Sequence, residues 1–247
     1  HKDLTLTPYL ATNTSTLEWR YRQAFKTGEL TFEGAISKDS FSGYDSRAYV
    51  FGRGDFDLPN DYKLSFRLRQ VSDSSYLADY DYSDLDRLTS NVRISRVDRT
   101  ENTQIALTNF ETVRTGEDNK VIPSWVFSAR KQKRFAPKIL GGEALWELEA
   151  HSHYRISDVD TDANADGIVD GRDVSRVNAG IEWRKDWLTS QGLIIGAEFS
   201  TNLDAVTTRQ DATITDRNYV EITPAGAVNL RYPMISRTQR DVTYILE

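Results

Sequence analysis

A dense group of oxygen-bearing side chains lies in one twelve-residue segment, residues 162–173. Numbered from its first residue, positions one, three, five, nine and twelve are Asp162, Asn164, Asp166, Asp170 and Asp173. Gly167 stands at position six, where a calcium loop turns sharply, and Ile168 at position seven would offer its backbone carbonyl. A hard cation is bound by many oxygen atoms, and its positive charge offsets the mutual repulsion of the carboxylates around it. The spacing predicts a Ca²⁺ site of the EF-hand type, with the dockerin variant's aspartate at position twelve.

Two observations keep an alternative open for this acidic segment. The stretches on either side of it alternate like strands, whereas calcium loops of this type normally join helices. Acidic, glycine-containing surface loops are also common without a metal. A loop that binds no cation therefore stays the alternative reading of residues 162–173.

The other reactive side chains do not form a recognisable catalytic site. The chain has no cysteine and three histidines, of which His151 and His153 share one predicted strand face. Such a pair can bind a metal, but no serine or aspartate motif frames it, and no glycine-rich phosphate loop is present. The sequence predicts a protein that is not an enzyme and requires no cofactor, apart from the calcium of the acidic loop. Balanced charge without a basic patch argues against nucleic acid as a partner.

The elements that carry these residues show a period of two. Alternating apolar and polar residues place two sets of side chains on opposite faces of a strand. One clear example is the apolar set Tyr62, Leu64, Phe66 and Leu68, interleaved with Lys63, Ser65, Arg67 and Arg69. Thirteen such strands are predicted, at residues 4–12, 17–25, 30–37, 48–58, 62–70, 88–97, 103–113, 121–135, 144–157, 174–187, 193–199, 219–232 and 241–247.

The connections between these strands alternate in length. Short turns contain turn-forming pairs such as Thr27-Gly28 and Gln191-Gly192, and longer polar loops come between them; only residues 13–16 break the order. Outer-membrane barrels have this arrangement, with short periplasmic turns and longer extracellular loops. The sequence therefore predicts an all-β fold, an antiparallel transmembrane β-barrel wall of about 13 strands, with residues 1–247 part of one barrel domain.

Composition taken alone would favour a soluble protein. Charged residues make up 28% of the chain, the net charge is -6 and the mean hydropathy is -0.56. No run of about 18 apolar residues is present, which excludes a transmembrane helix. A barrel wall tolerates this composition because only every second strand residue meets lipid.

In a barrel, one strand face lines a water-filled lumen. The basic residues predicted on that face are Arg20, Arg22, Lys63, Arg67 and Arg69. Guanidinium and ammonium groups there would attract phosphate or carboxylate on a passing substrate. The alternative is that they are ordinary lumen charges, paired with Glu18, Glu147 and Glu149.

A longer stretch carries a family resemblance. A strand beginning at Tyr62 runs into a Val-Ser-Asp-x-x-Tyr-x-x-Asp loop, formed by Val71, Ser72, Asp73, Tyr76 and Asp79. This pattern resembles the LPS-assembly outer-membrane proteins of the LptD family, also called organic solvent tolerance proteins. Further segments follow that family's order, namely Leu4-Thr5-Leu6-Thr7-Pro8, Ile222-Thr223-Pro224, Leu230-Arg231-Tyr232-Pro233 and Tyr244-Ile245-Leu246-Glu247. The resemblance is greatest to the alphaproteobacterial branch.

The resemblance implies a function. Members receive lipopolysaccharide (LPS) from a periplasmic Lpt bridge and insert it into the outer leaflet of the cell outer membrane through a lateral opening in the barrel. In well-studied members a lipoprotein, LptE, plugs the barrel. The expected partners are therefore LPS, bridge components, an LptE-like plug and outer-membrane lipid. We expect this chain to be an internal piece of the barrel that lacks the periplasmic domain and the strands at the opening. No transport residue of the family can then be assigned to it.

Two other readings remain open. A general porin would have a constriction loop folded into its pore and trimer contacts. A soluble, calcium-binding surface module would pack the face of Leu64, Phe66 and Leu68 against a second sheet. A barrel piece would instead have two unpaired edges, so we expect the isolated chain not to fold stably.

Overall fold

The computed structural model describes residues 1–40, 43, 45–215, 217–237 and 243–246. Twelve antiparallel strands form one sheet, and two short strands form a separate hairpin. The strands are β1 (Lys2–Leu10), β2 (Thr14–Ala24), β3 (Gly28–Asp39), β4 (Arg47–Asp57), β5 (Lys63–Val71), β6 (Arg87–Val97), β7 (Glu101–Thr112), β8 (Trp125–Phe135), β9 (Glu143–Tyr154), β10 (Asp173–Leu188), β11 (Ile194–Arg209), β12 (Asn218–Arg231), β13 (Met234–Arg237) and β14 (Thr243–Leu246). A single turn of helix, α1 (Tyr76–Asp79), and a 3₁₀ turn (Pro59–Asp61) interrupt the connections.

Every strand of the large sheet pairs with its neighbour in sequence, from β1 to β12. The sheet does not close, because β1 and β12 each pair on one side only among the described residues. This all-β architecture is that of a partial barrel and confirms the predicted fold class. Among the described residues, no helix has the length and apolar character required to cross a membrane.

Register places apolar side chains on one face across the whole sheet. A typical row of register partners is Phe66, Val92, Leu107 and Phe127, on β5 to β8. Many side chains of this apolar face are exposed, for example Leu4 (59%), Val92 (50%) and Ile222 (64%). The opposite face, called here the polar face, carries most of the charged strand residues. The reading as a soluble module expects this face to pack against a second sheet, whereas many of its side chains in the described part of the chain are exposed.

Connection lengths follow the predicted parity. The longer connections 40–46, 72–86, 113–124, 155–172 and 210–217 all leave the same end of the sheet. Residues 11–13 form the one short connection at that end among the described residues. The sequence predicted a short connection in this region as the single break in the alternation of lengths. The connections at the other end are 25–27, 58–62, 98–100, 136–142 and 189–193.

Several predicted boundaries were wrong. Strand β11 continues to Arg209, ten residues past the predicted end at 199, because Leu203 and Ala205 keep the alternation and pair with both β10 and β12. Strand β8 begins at Trp125, not at 121, since Pro123 cannot donate a ladder hydrogen bond. Residues 234–237, predicted as a turn, form β13 and pair with 243–246; residues 241, 242 and 247 of the last predicted strand lie outside the described residues.

Candidate functional site

The connection between β5 and β6, residues 72–86, folds back over the polar face of the sheet, and we call it the inner loop. Tyr76 of α1 is fully buried, and its hydroxyl lies 2.6 Å from the Ser37 Oγ atom on β3. The same Ser37 hydroxyl lies 2.7 Å from Thr16 Oγ1 on β2. Since neighbouring strands are about 4.8 Å apart, the inner loop reaches across β4 and β3, well beyond the strands it connects.

Arg47, the first residue of β4, holds the inner loop in place. Its Nη2 atom donates hydrogen bonds to Asp73 and Asp79, both at 2.7 Å, and to Ser75 Oγ at 2.8 Å. Its Nε atom donates to the second oxygen of Asp73 at 3.0 Å. The Arg47 side chain is only 3% exposed, and its guanidinium carbon lies 5.0 Å from the centre of the Tyr76 ring. A buried guanidinium is tolerated here because several charge-assisted hydrogen bonds replace its water.

Tyrosine rings complete the contact between the inner loop and the sheet. Tyr82 lies against Tyr49 of β4, with ring centres 4.7 Å apart, and stacks nearly parallel to Tyr80 at 5.9 Å. The Tyr80 hydroxyl donates to the Asp39 carboxylate at 3.0 Å. Aromatic pairs at these separations stabilise beyond their buried area. The polar face is therefore covered by a packed cluster at the end of the sheet that carries the long loops.

The structure shows what three of the motif residues in the inner loop do. Asp73 and Asp79 bind Arg47, and Tyr76 fills the space beneath them. Sequence reasoning quoted these residues only for their family resemblance and missed Arg47. The available signal was weak, because an arginine at a polar strand position is ordinary.

The inner-loop carboxylates set an expected pH dependence. Partial burial raises the pKa of Asp73, but hydrogen bonds from Arg47 and Ser72 outweigh it and leave the pKa below the ordinary 3.8. Hydrogen bonds from Arg47 and Ser75 lower the pKa of Asp79. A lowered carboxyl pKa stabilises the folded form above the ordinary value, and this is lost only as the pH falls through the folded-state value. We expect the loop to stay closed from pH 8 to pH 5 and to open below about pH 4.

A spin label at the exposed Ala78 would report this opening through its mobility. A label that becomes mobile between pH 6 and pH 5 would show that another group controls the loop.

The basic residues predicted to face a lumen all lie on the polar face by register. Arg22 forms an ion pair with Asp3 at 3.0 Å, and the Arg69 guanidinium lies 5.9 Å from the centre of the Phe51 ring. For Arg20, Lys63 and Arg67, no ion pair occurs with any residue that the structure describes. Their suggested partners bind elsewhere. Glu147 and Glu149 both pair with Arg130, and Glu18, which has no ion pair within the described ranges, is hydrogen-bonded to the Tyr82 hydroxyl.

In the acidic loop, residues 162–173, the first half has the arrangement that the calcium-loop spacing predicts. The Asp162 carboxylate accepts the amides of Asp166 at 3.1 Å and Gly167 at 2.9 Å, and Asn164 Oδ1 accepts the Asp166 amide at 3.0 Å. Gly167 makes the expected sharp turn, with φ of +88°. Ile168, half-exposed, donates its amide to Asp166 Oδ1 at 2.8 Å. This first half of the segment is a tight turn built on its own side-chain oxygens.

The second half of the acidic loop points elsewhere. Asp173 Oδ1 accepts the Arg155 amide at 2.7 Å. Asp170 is 6% exposed, and its Oδ1 atom is buried without a hydrogen-bond partner. In the described residues, no three histidine, cysteine or acidic side chains gather closely enough to hold a metal ion. The structure therefore brings Asp162, Asn164 and Asp166 together but does not bring Asp170 and Asp173 to them.

Neighbouring long loops support the acidic loop. The Arg155 side chain donates to the backbone oxygens of Val121 and Arg172, and thereby joins loops 113–124 and 155–172. Arg172 forms an ion pair with the buried Asp211 of loop 210–217. Desolvation lowers the pKa of the Arg155 guanidinium. These contacts fix the base of the acidic loop while Asp162, Asn164 and Asp166 stay exposed.

The paired histidines lie on the polar face, as the sequence predicted. The rings of His151 and His153 are 6.3 Å apart, centre to centre. His151 borders a groove of about 550 Å³ together with Gln104, Arg130 and Arg176. No serine or acidic group is arranged with either ring as in a catalytic triad within the described residues.

One sheet of sequential antiparallel strands, with an exposed apolar face and a charged opposite face, defines an outer-membrane type of β-barrel protein. The model of the LptD family, described as LPS transport system D, matches residues 45–247 of this chain. The chain belongs to the LptD family, whose members are outer-membrane proteins of LPS transport and assembly. None of the curated proteins compared with the chain matches it.

The family match decides between the barrel alternatives. A loop folded over the polar face was the expected mark of a porin, and the inner loop has this property. An inward loop therefore does not distinguish a porin from an LPS transport protein. The match over residues 45–247 favours the transport family. That family has transport partners in LPS and the Lpt system and is not known to be enzymatic.

Proposed function

We propose that this chain forms part of the wall of the barrel that inserts LPS into the outer leaflet of the outer membrane. In this arrangement the apolar face meets lipid, the polar face lines the lumen, and the long loops face outward. The observation that carries the proposal is the register, which keeps apolar side chains on one face through twelve strands of an LptD-family chain. Periplasmic bridge components would deliver LPS to the barrel, and an LptE-like lipoprotein would fill part of its lumen.

The polar face supplies the interactions that a charged glycolipid requires. Arg20, Arg22, Lys63, Arg67 and Arg69 attract phosphate and carboxylate groups of the headgroup as it passes. Exposed cations attract without holding tightly, because solvent and salt screen them. The inner loop covers the outer end of this face and directs the headgroup away from that part of the wall.

Depletion of the full-length protein tests the function. Newly made LPS would be pulse-labelled and followed to the cell surface as the protein is depleted. The proposal predicts loss of surface LPS, with precursor accumulating at the inner membrane. Normal delivery would contradict it and would place the porin reading first.

We also propose that residues 162–173 bind Ca²⁺ at the outer surface. Two observations support this: the turn that positions Asp162, Asn164 and Asp166, and the buried Asp170 oxygen that lacks a partner. Full coordination would require Asp170 and Asp173 to turn toward Asp162, with Asp173 releasing the Arg155 amide. That rearrangement weakens binding, so we expect a Kd of about 10⁻⁴ to 10⁻³ M, as in extracellular calcium modules.

Calorimetric titration of the full-length protein with calcium would measure this site. Replacing Asp162 and Asp166 together by asparagine is expected to abolish the binding heat, because both carboxylates are in the half of the loop already assembled. Asp160→Asn is the matched control, since it removes a nearby charge outside the twelve-residue segment. Absence of heat at millimolar calcium, or equal loss in the control, would end the calcium proposal.

A further inference from the structure

Two arginines on the polar face stand directly opposite each other. Arg53 of β4 and Arg67 of β5 are register partners, and both side chains are exposed. Arg93 of β6 is opposite Ser65, two residues along β5 from Arg67, so it lies diagonally across from Arg67. Directly opposed residues have Cβ atoms about 5 Å apart, and diagonal neighbours about 7–8 Å. The topology thus gathers three guanidinium groups on three consecutive strands.

These three arginines have no ion-pair partner in the part of the chain that the structure describes. The nearest acidic residues by register are Glu33, opposite Phe51, and Asp55, opposite Ser65, and neither pairs with them. Four other arginines of the polar face are paired with acids, in Arg130–Glu149, Arg176–Asp204, Arg184–Glu143 and Arg231–Asp186. The cluster on β4 to β6 therefore differs from these four paired arginines.

Like charges placed directly opposite each other destabilise a sheet, and a bound anion would offset that cost. The guanidinium fork matches the oxygens of a phosphate or carboxylate and can donate two parallel hydrogen bonds. We propose that Arg53 and Arg67, supported by Arg93, form a binding site for an anionic group on a sugar, such as a phosphate monoester or a uronic carboxylate. This inference deepens the proposed function, on which it rests, by naming where on the polar face the LPS headgroup binds as it passes.

The surroundings of the pair fit a sugar-linked anion. Tyr49, Phe51 and Arg53 occupy successive polar-face positions of β4, so the pair is next to an aromatic surface. Tyr49 and Phe51 lie 4.9 Å apart, centre to centre. The Arg69 guanidinium lies over the Phe51 ring and is thereby held beside the pair without an acid. An anion bound at Arg53 and Arg67 would lie just below the cluster that the inner loop forms.

The test is LPS binding by the purified full-length protein in detergent, measured as a Kd at fixed salt. The double variant Arg53→Gln/Arg67→Gln is expected to bind at least about tenfold more weakly, since each charge-assisted hydrogen bond is worth about a factor of ten. The matched control is Arg130→Gln/Arg176→Gln, which removes the same charge from ion-paired positions of the same face. The control is expected to change the Kd by less than about threefold, and a heat-dependent gel shift would verify that each variant is folded.

Chemically altered LPS identifies the anion. If the pair binds phosphate, enzymatically dephosphorylated LPS should bind the wild-type protein about as weakly as intact LPS binds the double variant. If it binds carboxylate, carboxyl-reduced LPS should show that loss instead. Equal weakening by the control, unchanged binding by the double variant, or a loss that neither modification of LPS reproduces would overturn the site. The two failures are distinguishable: if only the site is wrong, depletion of the protein still removes LPS from the cell surface, whereas if the proposed function is wrong, LPS delivery stays normal on depletion.

Discussion

Replacing Arg47 by methionine is expected to open the inner loop, because it lowers the free energy that stabilises the closed loop by about 3–5 kcal/mol. The side chains of Asp39 and Asp73 are only 4% and 7% exposed, and both face the Arg47 guanidinium. Without that cation, buried carboxylates would be left uncompensated, and the loop would move to return them to water. Methionine keeps much of the volume of the side chain, so the effect reports the lost charge and hydrogen bonds rather than a large cavity.

A spin label at Ala78 would measure the opening of the inner loop in the Arg47→Met protein. The label should change from restricted to mobile. Arg22→Met is the matched control, because Arg22 is 53% exposed and has a single ion pair to Asp3. An exposed pair of this kind contributes at most about 1 kcal/mol, so the label should stay restricted there. A restricted label in Arg47→Met would show that the tyrosine cluster alone holds the loop.

Replacing Tyr76 by alanine has the second large expected effect: it should destabilise the closed inner loop by about 3–5 kcal/mol. Tyr76 is fully buried and contacts Tyr49, Tyr80 and Tyr82, so alanine would leave a cavity beneath the loop. Tyr76→Phe removes only the hydroxyl and should cost about 1 kcal/mol. The smaller cost follows because Ser37 keeps its second partner, Thr16.

Hydrogen exchange of the amides in residues 72–86 would separate these two contributions. The expected order of protection is wild type, then Tyr76→Phe, then Tyr76→Ala, with a large gap before the last. Equal loss of protection in both variants would mean that the Ser37 hydrogen bond, and not ring packing, closes the loop.

Local periodicity was sufficient to predict the strands and their faces. In β5 the alternation of Leu64, Phe66 and Leu68 with basic residues predicts the face that each side chain takes, because a strand allows two directions only. The same rule assigned all five predicted basic residues to the polar face. It failed in β11, where Ser200, Thr201 and Asn202 look like a loop but are held by ladders on both sides.

The inner loop could not be predicted from local pattern. Arg47 and its partners Asp73 and Asp79 are 26 and 32 residues apart in sequence, and only the pairing of β4 with β5 brings them together. For the same reason the opposition of Arg53 and Arg67 depends on register, which sequence spacing does not give. In the acidic loop, spacing predicted the turn at Gly167 but not the direction of Asp170 and Asp173, which contacts with Arg155 and the neighbouring loops determine.

Two adjacent residues of β7 that point to opposite faces allow the most direct test that the polar face forms the transport path. Gln104 is opposite Arg130 on the polar face, and Ile105 is opposite Ala129 on the apolar face, 44% exposed. A photo-crosslinking amino acid would be placed at each position in the full-length protein in cells, and pulse-labelled LPS would be followed during a chase. We expect the residue at position 104 to capture labelled LPS transiently, and the residue at position 105 to capture membrane lipid with no transient LPS signal. Transient capture at Ile105 with none at Gln104 would contradict the assignment of the polar face to the transport path.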